Sequence, residues 1–242
     1  MGWQEAEDGH SKNVKGQPSS ATLQKIYQKL LHTFGPQHWW PGETPFEVIV
    51  GAILTQNTAW TNAAVAIENL KKAGVLSPEG LKRVSVGRLA RLIRSSGYFN
   101  QKAQRLKIFV RYLYESYQGD LEKMRRIPLA RLRAELLQVP GIGPETADSI
   151  LLYAFGKPVF VVDAYTRRTL ARHSFIAWDA SYQQIQQLFM ERLPRKPSLF
   201  NEYHALLVAL GKELCRTDPK CDACPLRNIG RLCLERSSAV KS

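Results

Sequence analysis

LQVPGIGPETAD, residues 137–148, places Gly141 and Gly143 on either side of one aliphatic residue, at a corner between two stretches of helical periodicity. Because glycine has no Cβ, the backbone at both positions can adopt a positive φ and can approach a ligand closely. The first N–H groups of the second helix have no intrahelical partner, so they point outward and suit an anion. The stretch therefore predicts an anion-binding hairpin, and the alternative is a glycine corner that only joins two packed helices.

The positive charge of the chain is concentrated in one segment. The sequence of 242 residues carries a formal net charge of +13, and residues 87–133 contribute +9 of it, from twelve Lys and Arg against three acidic residues. A concentrated excess favours a polyanionic partner, whereas an evenly spread one serves solubility. The anion expected at Gly141 and Gly143 is then a DNA phosphate, which is bound regardless of base identity.

Helical periodicity runs through most of the chain. Leu106, Phe109, Val110 and Leu113 share one face of a predicted helix. The run Val159–Val162 alone has the pattern of a short strand, so the predicted fold class is all-α. Nine further stretches show the helical pattern and are separated by Pro and Gly: Leu23–Phe34, Phe46–Leu54, Ala63–Ala73, Arg88–Ile93, Ala130–Leu137, Ala147–Phe155, Ala164–Ala171, Gln183–Leu193 and Phe200–Leu210.

Asp163 follows the apolar run and opens a helical stretch. An aspartate there is a good helix N-cap, and capping alone would account for it. Next to a hairpin that binds DNA, the carboxylate is also placed to act on a deoxyribose. It can stabilise the cationic, oxocarbenium-like sugar while the base departs, and it can orient the attacking water. On this hypothesis Asp163 is catalytic, and Arg167 and Arg168 contact phosphates nearby.

All four cysteines lie near the C-terminal end, in the order Cys215-x5-Cys221-x2-Cys224-x8-Cys233. Disulfides are unusual inside cells, and cysteines that merely fill a core would not cluster in this way. We therefore expect the four thiolates to hold a metal centre, for which zinc and a [4Fe–4S] cluster are both candidates. Zinc modules usually have two short Cys pairs, whereas this sequence has one.

Two helical lobes are expected, one of them built from both ends of the chain. A disordered lead is expected at residues 1–20, and a central lobe that ends in the hairpin at residues 58–156. The second lobe combines residues 21–57 with residues 157–213. A cysteine loop at residues 214–234 and a tail at residues 235–242 follow. The lead lacks the apolar stretch of a secretory signal, and no apolar run reaches the ~20 residues that span a bilayer. We expect a cytoplasmic, nucleoid-associated monomer with no membrane partner.

The hairpin, an aspartate eighteen residues after Glu145 and the terminal cysteines together resemble the helix-hairpin-helix DNA glycosylase superfamily that includes endonuclease III. The resemblance extends over residues 23–233, most of the chain. It implies a two-lobed helix-hairpin-helix fold with a C-terminal loop of four cysteines and a [4Fe–4S] cofactor. It also implies base excision repair of double-stranded DNA that contains a damaged base. The last cysteine gap is longer here than the family's usual spacing.

One position departs from the bifunctional members of that family, which carry a lysine where this chain has Glu145. The lysine amine forms a Schiff base with the sugar and enables strand cleavage. A glutamate cannot form this adduct. The resemblance therefore implies a monofunctional glycosylase that uses water and has no AP-lyase activity.

Three further segments are similar to a bacterial 3-methyladenine DNA glycosylase branch of the family. They are WWP at 39–41, GAILTQNTAW at 51–60 and GYFNQKA at 97–103. The glutamate at position 145 is also typical of that branch. The leading hypothesis is therefore a glycosylase for alkylated purines of the 3-methyladenine type.

The same similarity assigns roles to five residues of this chain. It implies that Trp39, Trp40 and Trp60 bind the base, that Gln56 fills the gap left in the duplex, and that Lys212 lies beside the base. Electron-rich indole faces favour a cationic alkylated purine over a neutral base by about 0.5–2 kcal/mol. The alternative for the tryptophans is an ordinary core.

Two other functions remain open at this stage. The first is a monofunctional glycosylase for mismatched thymine or uracil on the same scaffold. The second is a DNA-binding protein that has kept the scaffold and lost catalysis, against which the position of Asp163 argues.

Overall fold

Helices account for the regular secondary structure of the computed structural model, which describes residues 17–230. This confirms the predicted all-α fold class. Within that range there are a π-helical turn at Ile150–Ala154, 3-10 turns at Arg94–Ser96 and Cys221–Ala223, and twelve α-helices: α1 (Ser20–Phe34), α2 (Pro45–Leu54), α3 (Trp60–Lys72), α4 (Pro78–Arg83), α5 (Val86–Leu92), α6 (Phe99–Tyr117), α7 (Leu121–Arg126), α8 (Leu129–Gln138), α9 (Pro144–Ser149), α10 (Ala164–Arg172), α11 (Tyr182–Arg192) and α12 (Pro197–Glu213).

Side-chain caps fix where many of these helices begin. A hydroxyl or carboxylate oxygen accepts a hydrogen bond from a backbone N–H of the first turn, which satisfies one of the donors that a helix start leaves free. Proline at the first position of α2 and α4 adds a preset φ. The capping residues are Ser19, Thr44, Ser77, Ser85, Asp120, Asp163 and Ser181.

The two helices that periodicity did not predict, α4 and α7, have six residues each. Fewer than two turns give too few apolar positions to establish a period. The caps Ser77 and Asp120 were the local signals of their starts. Near the N-terminus, α1 begins at Ser20 with Ser19 as its cap, so the predicted lead of residues 1–20 is too long.

The run Val159–Val162 is buried but forms no strand, which corrects the sequence prediction. Its backbone groups bond to side chains of α11 instead of to a second strand. Gln186 Nε2 donates to the Phe160 carbonyl at 2.7 Å, and the Val162 N–H lies 3.4 Å from the Tyr182 hydroxyl. The apolar run is therefore a buried extended segment and not a strand, because side chains, and not a neighbouring strand, bond to its backbone N–H and C=O groups.

A single hydrophobic core runs through the described residues. Helix α1 packs against α11 and α12, and α12 packs against α10. Helix α2 is buried on almost every side and packs against α3, α6 and α9. The division into lobes of residues 58–156 and 21–57 plus 157–213 stays a prediction, and we propose that α2 lies at the boundary between them.

Lys102 ties the end of α2 to α6. Its side chain is buried, and Nζ donates to the carbonyls of Leu54 at 2.8 Å and Ser96 at 2.5 Å. Burial, with a smaller contribution from Arg105, lowers the pKa of Lys102 to about 8. The lysine thus satisfies backbone acceptors directly before the segment that carries Gln56.

Some expectations concern residues that the structure does not describe. Cys233, the cysteine-loop residues from 231 onward, the tail at 235–242 and the lead up to residue 16 lie outside the described range. Among residues 17–230, none of the helices is both long and apolar enough to cross a bilayer.

Candidate active site

The hairpin links α8 to α9 through residues 139–143. Gly141 has a φ of +88°, and a Cβ there would lie 2.6 Å from Cγ of Arg105. Glycine is therefore required at this position for both its φ and its close approach to a side chain. Gly143 differs from the prediction, because it is the N-cap of α9 with a φ of −90° and open space beside it.

Gln56 reaches the hairpin from the end of α2. Its Nε2 donates to the Gly141 carbonyl at 3.0 Å and to Oγ1 of Thr146 at 2.9 Å. Arg105 donates in turn to Gln56 Oε1. The structure therefore brings Gln56 and Gly141 together, and the role of Gln56 inside a duplex stays a prediction.

Asp163 is the N-cap of α10, as the sequence predicted. Oδ1 accepts a hydrogen bond from the Thr166 N–H at 2.7 Å, and Oδ2 lies 3.5 Å from Nε2 of His204. Burial alone would raise the pKa of this carboxyl, but His204 and the Thr166 N–H outweigh it, so the pKa lies below its usual value. The side chain is 13% exposed, so an ionised carboxylate keeps access to a substrate.

His204 and Tyr153 extend this arrangement. The Tyr153 hydroxyl lies 2.5 Å from Nδ1 of His204, on the ring edge opposite the nitrogen that faces Asp163. His204 is buried at 5% exposure on α12, and Tyr153 belongs to the π-helical turn. Sequence reasoning missed both residues, because a lone histidine and a tyrosine on apolar helix faces look like ordinary core.

Glu145, the second residue of α9, also interacts with this group. Solvent reaches its side chain, but the surrounding protein atoms raise the pKa of Glu145 to about 7. The Asp163 charge contributes to this rise, and His204 opposes it. The two carboxyl groups thus differ in ionisation at neutral pH, with Asp163 charged and Glu145 near its midpoint.

Four aromatic rings pack together next to this polar group. The ring of Trp40 lies with its centroid 5.0 Å from Trp39, 5.1 Å from Trp60 and 5.1 Å from Tyr153. The indole N–H groups of Trp39 and Trp40 are buried without a hydrogen-bond partner among the described residues. Lys212 Nζ lies 5.9 Å from the centre of the Trp39 ring. The structure thus places the three tryptophans and Lys212 in one cluster, and Tyr153 links this cluster to Asp163 through His204.

Gly51 makes room for Trp40. A Cβ at this position of α2 would lie 3.1 Å from Cζ2 and 3.2 Å from Nε1 of the Trp40 indole. A larger residue would therefore push the ring out of its place against the helix backbone. Glycine in the middle of an apolar helix was the sequence signal for this close approach.

Arg167 and Arg168 make bonds within the protein. Arg168 donates to the carbonyls of Cys215 at 2.7 Å and Gly211 at 3.0 Å, and Arg167 donates to the carbonyl of Ala180. These bonds join α10 to the neighbouring segments. Phosphate contacts by the two arginines stay a prediction, and they have no part in the proposals below.

Three of the four cysteines meet at one small cavity. Cys215, Cys221 and Cys224 are free thiols that line it together with Arg172. Burial raises the pKa of the Cys224 thiol. Within residues 17–230, however, no group of three or more His, Cys, Asp or Glu side chains is spaced to hold a metal ion. The thiol chemistry suits an iron–sulfur cluster or zinc, and the fourth ligand of the predicted set, Cys233, lies outside that range.

A larger cavity of about 650 Å³ lies between α6 and α8 and does not include the site residues. Its polar groups satisfy one another: Tyr112 and Tyr117 donate to the Glu135 carboxylate, and so does Arg131. Size alone would select this cavity as a binding site. The buried polar groups without a partner among the described residues and the carboxyl groups with shifted pKa values lie instead near Asp163.

The fold and the site define a class of helical protein in which a hairpin and a capping aspartate lie beside an aromatic cluster. The family model for the HhH-GPD superfamily of base excision DNA repair proteins matches residues 50–195. The chain belongs to this superfamily, and it is a DNA glycosylase of base excision repair.

Individual relatives support this assignment. A protein of Methanocaldococcus jannaschii, provisionally named a DNA repair glycosylase, is 46% identical over 86% of this chain and 94% of its own length. Endonuclease III of Sulfolobus acidocaldarius is 30% identical over 78% of this chain and 83% of its own length.

Solved structures agree in fold. The 3-methyladenine DNA glycosylase of H. pylori, bound to 1,N6-ethenoadenine, has a TM-score of 0.70 and 28% identity, covering 81% of this chain and 98% of that one. A covalent complex of endonuclease III with DNA has a TM-score of 0.76 over 88% of this chain and 96% of that one. At 24% identity, the second likeness concerns the fold alone.

Proposed function

We propose that this chain is a monofunctional DNA glycosylase that hydrolyses the N-glycosidic bond of alkylated purines of the 3-methyladenine type in duplex DNA. The observation that carries the proposal is the ionised Asp163 carboxylate beside a cluster of three tryptophans. Such a site places a negative carboxylate next to the sugar and electron-rich indole rings next to the base.

Asp163 would act on the deoxyribose. Departure of the base leaves positive charge on the sugar, and a carboxylate at close range stabilises that charge. The same carboxylate orients a water molecule and takes its proton when the water attacks C1′. A lowered pKa suits the first role, since the group must be charged when the bond breaks.

Trp39, Trp40 and Trp60 would recognise the base. A purine alkylated at a ring nitrogen is cationic, and indole faces attract a cation by about 0.5–2 kcal/mol. That charge also weakens the glycosidic bond, so the enzyme needs less help to protonate the leaving base. The likeness to a glycosylase that holds ethenoadenine supports the same assignment.

Glu145 would make the enzyme monofunctional. A carboxyl group cannot form the Schiff base that the lysine of bifunctional relatives forms. Water is then the nucleophile, and the product is an intact strand with an abasic site.

The remaining residues would hold DNA and the C-terminal loop. The hairpin at Gly141 and Gly143 would bind a backbone phosphate, with Gln56 beside it to occupy the gap that the flipped nucleotide leaves. The cysteines would hold a [4Fe–4S] cluster that ties the C-terminal loop to the body. An absorption band at about 400 nm that bleaches on reduction is the result expected of the cluster, and a colourless protein that contains zinc would contradict it.

The test is a panel of duplexes, each with one lesion: an alkylated purine, a mismatched thymine or a uracil. Each duplex is incubated with the protein and analysed before and after heating in alkali. We expect free alkylated purine, with strand breaks only after alkali. Release of thymine or uracil alone would contradict the substrate class, and release of no base would favour a binding protein.

Glu145→Lys is the matched variant for the absence of lyase activity. The wild type should give no adduct when borohydride is added during the reaction, because it has no amine at this position. The Glu145→Lys protein restores an amine and should give a trapped protein–DNA adduct. Strand cleavage by the wild type before alkali would refute the proposed role of Glu145.

A further inference from the structure

Three side chains from three elements form one polar chain that ends at Asp163. The Tyr153 hydroxyl lies 2.5 Å from Nδ1 of His204, and Nε2 of His204 lies 3.5 Å from Oδ2 of Asp163. Tyr153 comes from the π-helical turn, His204 from α12 and Asp163 from the start of α10. Asp163 could cap α10 without Tyr153 or His204.

The proton positions along this chain follow from its donors and acceptors. The Tyr153 hydroxyl donates to Nδ1 of a neutral His204 ring, or accepts from Nδ1 of a protonated one. With either ring, Nε2, the nitrogen that faces the Asp163 carboxylate, carries a proton. That N–H is buried and makes no hydrogen bond within residues 17–230, although it faces Oδ2 of Asp163 at 3.5 Å. A buried donor left in this state is costly unless a small movement completes the bond.

We propose that His204, held by Tyr153, is a positioning residue that orients the Asp163 carboxylate toward the deoxyribose and keeps it ionised. The inference rests on the proposed function and adds two residues to its machinery. Neither residue needs to touch the substrate. When a small movement completes the bond, His204 donates to Oδ2 while the Thr166 N–H holds Oδ1, so both oxygens have a fixed place when the sugar becomes cationic.

The charges around Asp163 support this role. The titratable groups that face it are His204 from α12, Tyr153 from the π-helical turn and Glu145 from α9. Glu145 and Tyr153 are acids, whose ionised forms would oppose a second negative charge. Burial raises the pKa of Asp163, whereas the positive charge of a protonated His204 ring and the hydrogen bond from His204 both lower it. Replacement of His204 by a neutral residue without this N–H should therefore raise that pKa.

Two variants at His204 separate the N–H from the volume of the ring. His204→Gln places an amide N–H near the position of Nε2, whereas His204→Asn is too short to reach Asp163. Tyr153→Phe removes the hydroxyl that orients the ring. Tyr203→Phe is the matched control, because Tyr203 is the buried neighbour of His204 and its hydroxyl donates to the Leu23 carbonyl at 2.8 Å, far along the chain from Asp163.

The primary measurement is the single-turnover rate of base release as a function of pH. His204→Asn should lower the maximal rate about tenfold to a hundredfold, as loss of an orienting partner does elsewhere. Its acidic limb should move to higher pH, because Asp163 would protonate at higher pH. Affinity for a duplex with a stable abasic analogue should stay within about twofold of the wild type, since transition-state stabilisation alone is lost. His204→Gln should recover part of the rate, and Tyr203→Phe should match the wild type.

A carboxyl NMR titration of the unliganded protein tests the same inference without any substrate. The pKa of Asp163 should be higher in His204→Asn than in the wild type and in Tyr203→Phe. An unchanged pKa would overturn the inference even if the enzyme releases the expected base. Conversely, a wild type that releases no base from any lesion refutes the proposed function, while a raised pKa in His204→Asn still supports the link between the two side chains. Equal rates in His204→Asn and Tyr203→Phe would overturn the positioning role.

Discussion

Asp163 and Glu145 show how far the surroundings of a carboxyl group determine its chemistry. The pKa of Asp163 lies below its usual value, whereas that of Glu145 is raised to about 7. Sequence order alone indicated Asp163, because its distance from the hairpin and its place at a helix start were visible. Tyr153 and His204 could not be found in this way, because they are 51 residues apart in the sequence and only the fold brings them into contact.

The raised pKa of Glu145 predicts a pH-dependent cost in stability. Between the usual pKa of 4.5 and the folded value of about 7, the folded state binds more protons than the unfolded state, so stability falls as pH rises through this range. Glu145→Gln removes the titrating group. Thermal melting should show the Tm of Glu145→Gln rising relative to wild type from about pH 5 to about pH 8. A Tm difference that does not change with pH would contradict the environment described for Glu145.

The helices follow the sequence closely where they are long and amphipathic. The predicted stretch Phe46–Leu54 corresponds to α2, and Ala164–Ala171 corresponds to α10, whose N-cap is the predicted Asp163. The extended run Val159–Val162 could not be predicted, because the side chains that satisfy its backbone come from α11. Local patterns contain no information about such distant partners.

Asp148 joins the hairpin to α11 and so connects elements that the sequence left separate. It is fully buried, and its carboxylate accepts two bonds from Arg133 of α8, at 2.7 and 3.0 Å. Tyr182 and Gln186 of α11 donate to the same carboxylate at 2.8 and 2.7 Å. Because Tyr182 and Gln186 also contact residues 160–162, this group sets the distance between the hairpin and Asp163.

Asp148→Ala should therefore destabilise the protein. Removal of the carboxylate leaves Arg133, Tyr182 and Gln186 without this acceptor, at a cost of about 3 kcal/mol. Urea unfolding measures the change in the free energy of unfolding. Asp179→Ala, at an exposed position, is the control and should change it by less than about 0.5 kcal/mol. Equal effects of the two variants would show that the buried network contributes little.

Across the whole molecule, the sequence overstates the positive charge that is free to bind DNA. Several cations of residues 87–133 bond to the protein itself. Lys102 donates to two carbonyls, Lys107 donates to the carbonyls at 81, 82 and 84, and Arg133 pairs with Asp148. The net charge correctly indicated the class of partner, but only the structure shows which cations have other roles.

Salt should weaken DNA binding strongly. Release of counterions makes the logarithm of the binding constant fall linearly with the logarithm of salt concentration, so affinity for an undamaged duplex should drop about a hundredfold between about 50 and 200 mM salt. Fluorescence anisotropy measures the slope. Lys107→Met should leave the slope unchanged, since its ammonium already donates to three carbonyls. An affinity that does not respond to salt would contradict a phosphate-binding surface.

The proposed chemistry depends above all on the charge of Asp163, which Asp163→Asn removes with little change in shape. Asparagine is also a good N-cap, so α10 should still form and the protein should still bind DNA. The decisive measurement is the single-turnover rate of base release from a duplex with one alkylated purine, for the wild type and Asp163→Asn at equal saturation. We expect the rate to fall about a thousandfold. A rate equal to that of the wild type would show that the Asp163 carboxylate does not drive base release.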